Sequence, residues 1–266
     1  MPAFADGALD LDLTGECARL TLARPERRNA LNQAMWRALG DIAAAVDAAD
    51  GVKLLIVQGA GGHFAAGADI AEFETVCATR QLAAGYAAAV HDGLLALSRM
   101  AKPSIASVEG FCIGGGMALA LACDIRLADE GARFAITPAK LGIVYNAFDT
   151  RLLVDAVGAS AARDLLFTGR IVEAEEALRL GLVDTVLTGG GLGQAVNDKA
   201  AILCANSQWS IRQAKRMVRR ALDGQAIDDA ITRGVSLDSF TGPDFAEGRA
   251  AFMAKRAPQF QWDGEL

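Results

Sequence analysis

Histidine is nearly absent from this chain: its 266 residues include only His63 and His91. His63 is expected in a loop and His91 inside a helix, neither with a catalytic role. No cluster of His, Cys and acidic residues has metal-ligand spacing, so no metal site is expected. Cysteine is scarce and unpatterned. The five, at 17, 77, 112, 123 and 204, form no C-x-x-C pair. They read mainly as small core residues and fit a reducing compartment. There is no P-loop, no G-x-S-x-G serine elbow and no G-x-G-x-x-G dinucleotide fingerprint. Long apolar runs are lacking as well. The longest uncharged one, between Glu109 and Asp124, is too short to span a bilayer and fits a core helix. The opening stretch MPAFADGALDLDL has neither a basic nor an apolar segment of the signal-peptide kind, so a cytoplasmic location is expected. An excess of basic residues is missing too: the net charge of −6 and pI near 5.0 argue against a nucleic-acid partner.

What is present is apolar bulk. Hydrophobic residues make up 52% of the chain, ample for a large core. Three short basic clusters (Arg24, Arg27 and Arg28; Lys215, Arg216, Arg219 and Arg220; Lys255 and Arg256) read as solvated helix faces. The other reading is phosphate contacts to a small anionic ligand.

The first half alternates strand, loop and helix. CARLTLARP reads as a strand stopped by Pro25. Asn32 caps a helix to about Ala49, with Met35, Leu39, Ile42 and Val46 on one face. VKLLIVQG is a continuous apolar run, as in a strand buried on both faces. A further helix is expected over 80–100, then a strand at SIASVEG, broken from it by Pro103. After about residue 188 the pattern turns helical, with helices expected at 193–206, 208–222, 225–239 and 244–256. This is an α/β pattern, divided as a core over 1–190 and a helical region over 191–266.

Two glycine-rich turns each follow a buried strand: GAGGHFAAGADI and EGFCIGGGMALA. Three successive glycines, Gly114, Gly115 and Gly116, stand where a helix with no polar face begins. Such a start leaves bare N–H groups that can meet a negative oxygen, or it allows backbone to pack closely on backbone. Neighbouring strands would bring both turns to one sheet edge. The N–H groups of Ala68 and Gly115 could then converge on one oxygen as an oxyanion hole.

HFAAGADIAEF and VEGFCIGGGMALALACDIRLA resemble the two signature segments of the crotonase, or enoyl-CoA hydratase/isomerase, superfamily. RPERRNALN resembles its N-terminal CoA-contacting loop. FTGRIVEAEEALRLGLVD and FAEGRAAFMAKRAPQF resemble its later segments, so the likeness covers nearly the whole chain in order. It implies a crotonase-like core of ββα units in a spiral, with a C-terminal helical region that drives trimers, often paired into hexamers. It also implies an acyl-CoA substrate held at its thioester carbonyl by Ala68 and Gly115, and an enolate intermediate. No cofactor is implied beyond the coenzyme A carried by the substrate. Arg28, Ala66, Asp69 and Ile70 would lie near the CoA. Phe252 and Lys255 would meet its head, from the same or a neighbouring subunit. A charge at a helix start is an equal reading of Asp69.

The pattern breaks at two places. Hydratases of this family carry two glutamates that activate water; the matching positions here are Ala118 and Ala139. Neither can move a proton. The loop TPAKLGIVYNAFDT instead offers Tyr145 and Asp149, and its form resembles the methylmalonyl-CoA decarboxylase branch. That branch has a histidine where this chain has Ala68. Tyr145 is either a proton donor or a buried phenol bonded to backbone. Asp149 is either a general base or, the favoured reading, an N-cap. Glu109 either approaches the thioester side or, the favoured reading, sits in a salt bridge. Two functional expectations follow. One is an isomerase, decarboxylase or C–C lyase of the enoyl-CoA hydratase type, with hydration doubtful. The other is a CoA-thioester binder without efficient catalysis.

Overall fold

The computed structural model describes residues 3–261. Its strands are β1 (Ala3–Phe4), β2 (Leu9–Asp12), β3 (Cys17–Leu22), β4 (Leu54–Gly59), β5 (Ser104–Val108), β6 (Phe111–Ile113), β7 (Ile125–Asp129), β8 (Arg133–Ala135), β9 (Ile171–Glu173) and β10 (Thr185–Leu187). Seven form one mixed sheet in the order β1-β2-β3-β4-β5-β7-β10, parallel from β3 onward. β6, β8 and β9 form a second, small sheet. The helices are α1 (Gln33–Ala48), α2 (Phe73–Val76), α3 (Arg80–Arg99), α4 (Gly115–Ala122), α5 (Pro138–Leu141), α6 (Ala147–Thr168), α7 (Ala174–Leu180), α8 (Leu192–Ala205), α9 (Gln208–Leu222), α10 (Ala230–Thr241) and α11 (Pro243–Ala254). The molecule is thus an α/β fold with a C-terminal helical region.

The continuous apolar run of β4 has a simple cause. Leu55 and Val57 join the main core beneath α1, α3 and α4, whereas Leu54 and Ile56 point to the opposite face. There Leu192, Val196, Ala200 and Cys204 of α8 cover them. The first helix behind the sheet begins at Asn32, whose side chain accepts from Met35 N at 2.9 Å.

Two readings of the C-terminal helices change. α10 starts at Ala230, not 225, because Asp229 and Thr232 form a capping box at 2.9 and 3.0 Å. The basic helix α9 is not simply a solvated face. Arg212 is buried, and Lys215 Nζ donates to Asp124 at 2.8 Å and to Lys102 O at 3.0 Å. Asp124 also accepts from Ser104 N and Oγ, so this pair locks α9 to the mouth of β5. At the far end of α9, Asp223 receives both Arg99 of α3 and Arg151 of α6 at 3.0 Å. The helices that flank the candidate site are thereby tied to the C-terminal region.

Candidate active site

The two glycine-rich turns follow β4 and β5, which are adjacent parallel strands. Backbone bonds stitch the turns together. Phe64 N donates to Glu109 O, Ala65 N to Phe111 O and Ile113 N to Ala65 O, at 2.8–3.0 Å. On the other side, Leu31 N donates to Gly67 O and Asp69 N to Leu31 O. These bonds use the amides on either side of Ala68 and leave its own N–H turned the other way. Asn29, fully buried at φ +56°, accepts from Arg24 N and donates to Ala60 O and His63 O. One side chain thus closes the turn against the preceding loop.

The three glycines answer three constraints. Gly114 has φ +53°, a region that L side chains seldom enter, and donates to Ala135 O at 2.8 Å. A methyl group at Gly116 would meet Ala65 O at 2.5 Å, which is close packing of backbone on backbone. A methyl group at Gly115 would stand 2.9 Å from Trp36 Cζ2 and 3.5 Å from Ala68 N. Gly115 N in turn lies 3.7 Å from where a Cβ on Gly67 would sit. The two amides are therefore neighbours in space from distant parts of the chain. Neither donates a hydrogen bond to another described residue, and both residues keep partial exposure. The arrangement can direct two fixed donors at one ligand atom.

Tyr145 reaches the same turn, its hydroxyl 3.8 Å from the position of a Cβ on Gly114. It makes no hydrogen bond to a described residue, so it is not the backbone-bonded phenol that was the alternative reading. Burial pushes its pKa well above the ordinary phenol value, and the Asp149 carboxylate pushes the same way. The group is held protonated. Asp149 sits in the first turn of α6, 8% exposed. The expected N-cap role falls to Asn146, which accepts from Asp149 N at 2.8 Å. Asp149 Oδ1 is buried with no hydrogen-bond partner among the described residues. Burial raises its pKa from 3.8, opposed by a bond with Asn146 and by the charge of His91.

Other predicted residues are distributed as follows. Ala118 is buried one turn into α4, at the base of the turn. Ala139 is exposed. It is Thr137, two residues earlier, whose hydroxyl stands 3.5 Å from the Cβ position of Gly114. Asp69 stands at the N-cap position of the short 3-10 turn Ile70–Glu72, in line with the helix-start reading; it makes no cap bond and pairs with Arg24 at 2.8 Å, an ion pair that ties two loops. Arg28 and Ala66 line a groove of about 300 Å³ together with Phe111, Thr137 and Lys140. The Arg28 guanidinium lies over the Phe111 ring at 5.1 Å. Ile70 is half exposed. Phe252 and Lys255 project from the end of α11, and no hydrogen bond or ring contact joins them to the two turns among the described residues. Glu109 is exposed and in no ion pair with a described residue, contrary to expectation. His63 stacks on Phe111 at 5.0 Å and its Nδ1 accepts from Phe111 N, a structural duty. A larger hollow of about 700 Å³ lies among α9, α10 and α11 and contains none of the predicted site residues.

Sequence reasoning missed three residues here: Trp36, Tyr86 and Thr137. Trp36 is 1% exposed, and its Nε1 has no partner among the described residues. Tyr86 packs edge-on against Phe73 at 5.4 Å and lies close to Trp36; burial lifts its phenol to about 12. Only the apolar faces of α1 and α3 could have signalled Trp36 and Tyr86, and Thr137, just before α5, gave no signal.

A mixed-sheet α/β fold with two neighbouring, unpartnered loop amides can polarise a ligand, and comparison with known proteins shows the family to which the chain belongs. The enoyl-CoA hydratase/isomerase family profile matches residues 13–263. A crotonyl-CoA hydratase from Syntrophomonas wolfei is 33% identical over 257 residues, covering 94% of this chain and 96% of that protein. The crystal structure of an enoyl-CoA hydratase/isomerase family protein from Hyphomonas neptunium superposes with a TM-score of 0.93 at 44% identity, covering 96% of this chain and 98% of that one. That of an enoyl-CoA hydratase/carnithine racemase from Magnetospirillum magneticum gives 0.91 at 33%, covering 96% and 95%. The chain belongs to the enoyl-CoA hydratase/isomerase family.

Proposed function

We propose that the protein acts on an acyl-CoA thioester through an enolate held by the N–H groups of Ala68 and Gly115, with Tyr145 as proton donor. The observation that carries this is the pair of unengaged amides beside a free, protonated phenol. The groove lined by Arg28, Ala66 and Lys140 leads to the same turn and supplies cations for the CoA portion. Asp69 and Ile70, which follow Ala68 directly, would lie near the CoA; Phe252 and Lys255 would reach a CoA head bound on a neighbouring copy. Exposed Phe167, Phe240, Phe252 and Met253 support assembly into a homotrimer or hexamer.

Within the family's chemistry, the residues favour decarboxylation, C–C cleavage or isomerisation over hydration. Relatives are named as hydratases, but Ala118 offers no carboxylate to activate water. In a decarboxylation, the C–C bond to the carboxylate breaks and CO2 leaves. The electron pair stays on the carbon next to the thioester, and its charge passes to the carbonyl oxygen. Two fixed N–H donors there lower the barrier by several kcal/mol, about 2.7–4 for each donor removed. The Tyr145 phenol then gives its proton to that carbon and regains one from water. The missing carboxylates also favour a second reading, a thioester-binding protein without efficient turnover. Mixing the protein with crotonyl-, malonyl- and methylmalonyl-CoA and separating the products by chromatography tests both. Turnover of a malonyl-type or isomerisable thioester is expected. Tight binding with no turnover of any of them would establish the second reading, and faster hydration of crotonyl-CoA than any other reaction would refute the preference.

A further inference from the structure

Of the five cysteines, two meet. Cys17 Sγ and Cys204 Sγ lie 3.6 Å apart, although 187 positions separate them along the chain. The others go elsewhere. Cys112 donates to Met117 Sδ and Cys123 to Leu119 O, both inside the main core, and Cys77 is exposed. Cys17 opens β3, and Cys204 lies in the last turn of α8, which covers that face of the sheet. Cys17 is half-buried and Cys204 buried. One residue fixes them against each other. Lys53 N donates to Glu16 O at 2.7 Å, and the Lys53 ammonium pairs with the Glu16 carboxylate at 2.6 Å. The same ammonium donates to Cys204 O at 3.1 Å. Lys53 thus holds the backbone on both sides of the sulfur pair. A disulfide needs its sulfurs at about 2 Å, which leaves about 1.6 Å to close.

Going beyond the acyl-CoA reading, we propose that Cys17 and Cys204 form a dithiol site that takes low-molecular-weight disulfides of the glutathione type and closes into an internal disulfide joining β3 to α8. The half-buried Cys17 meets the reagent first. Its thiolate attacks one sulfur of the small disulfide, the S–S bond there breaks, and one small thiolate leaves. Cys204 then gives its proton to water and attacks the Cys17 sulfur. The mixed disulfide breaks and the second small thiolate leaves, each taking up a proton. The two protein thiols are oxidised, and the small disulfide is reduced to two thiols. Burial lifts the Cys204 thiol to about 12, with Cys17 and Glu16 pushing the same way and the Lys53 ammonium opposing. Cys204 therefore resolves the mixed disulfide and does not form it. The pair lies at the opposite end of the strands from the glycine turns. Cys17 is paired with Leu54, the first residue of β4, and the turn follows Gly59, its last. Closure fastens the helical region to the sheet without entering the acyl-CoA site.

The test uses the full chain carrying Cys77→Ser, which removes the exposed thiol, incubated with oxidised glutathione. Non-reducing peptide mapping by mass spectrometry is expected to show Cys17 linked to Cys204 within one chain, with no glutathione retained on either. The urea midpoint should rise by roughly 1 M, because the link closes a very long loop in the unfolded chain, and dithiothreitol should return it. Cys204→Ser in the same background should keep glutathione on Cys17 and show no rise. Recovery of both thiols free overturns the inference. So does a lasting glutathione on Cys17 while Cys204 is present, or a link between two chains. Thioester binding is measured separately, so the acyl-CoA reading stands or falls on its own.

Discussion

Substituting Gly115 by alanine perturbs the proposed site by a single methyl group. The added carbon would lie 2.9 Å from Trp36 Cζ2 and 3.4 Å from Cη2, so the indole must shift by a few tenths of an ångström. It would also stand 3.5 Å from Ala68 N, in the space where both amides would meet the proposed oxygen. Overpacking of this kind costs about 1–3 kcal/mol of stability, partly offset by the better helix former at the start of α4. Alanine keeps its own N–H, but a methyl group in that space pushes the oxygen off at least one of the two donors; the loss of one such contact costs about 2.7–4 kcal/mol of transition-state stabilisation, a fall of roughly 10²–10³-fold in kcat. The catalytic loss should therefore far exceed the change in fold. Gly40→Ala is the matched control. It lies inside α1, a methyl group there meets nothing within 4 Å, and it should gain roughly 1 kcal/mol without touching the site. Urea melts and steady-state rates on the best thioester of the panel measure both effects. A folded Gly115→Ala protein with wild-type kcat would refute the assignment of its amide.

Tyr145→Phe should lower kcat by about 10²–10⁴-fold with KM little changed, the range for a positioned general acid; an unaltered rate would return the phenol to a packing role. Asp149→Asn should stabilise the protein near neutral pH. Burial raises the folded pKa of this carboxyl above 3.8, so its cost is absent below the unfolded value and grows as pH rises through it, levelling once the folded group also ionises. Denaturant midpoints of the two proteins should coincide near pH 3 and separate toward pH 7. Parallel profiles would show that Asp149 carries no such penalty.

Local chemistry explains what was legible beforehand. The Asn32 cap, the two-sided apolar run of β4 and the positions of both glycine turns follow from propensity and spacing. The turns follow adjacent parallel strands, so their meeting depended only on strand order. Asp149 could not be told from Asn146 as the cap, because both are favoured N-cap types three residues apart and the loop sets where the helix begins. The engagement of Lys215 was hidden because its partner, Asp124, lies 91 residues away along the chain. Trp36 and Tyr86 were missed because their neighbours at the turns are likewise distant in sequence. On α1 and α3 an aromatic looks like any other core residue until packing turns it toward the turns. The second lost glutamate was sought at Ala139, yet the chain directs Thr137 to the site and leaves Ala139 in solvent.

Vibrational spectroscopy of a bound thioester tests the paired amides most directly. With a ¹³C label at the carbonyl of a slowly reacting acyl-CoA, the difference Raman spectrum isolates that one bond. The account predicts a carbonyl stretch moved to lower frequency in the wild-type complex, and largely restored to its solution value in Gly115→Ala with CoA still bound. A stretch unmoved from solution in the wild-type complex would contradict it.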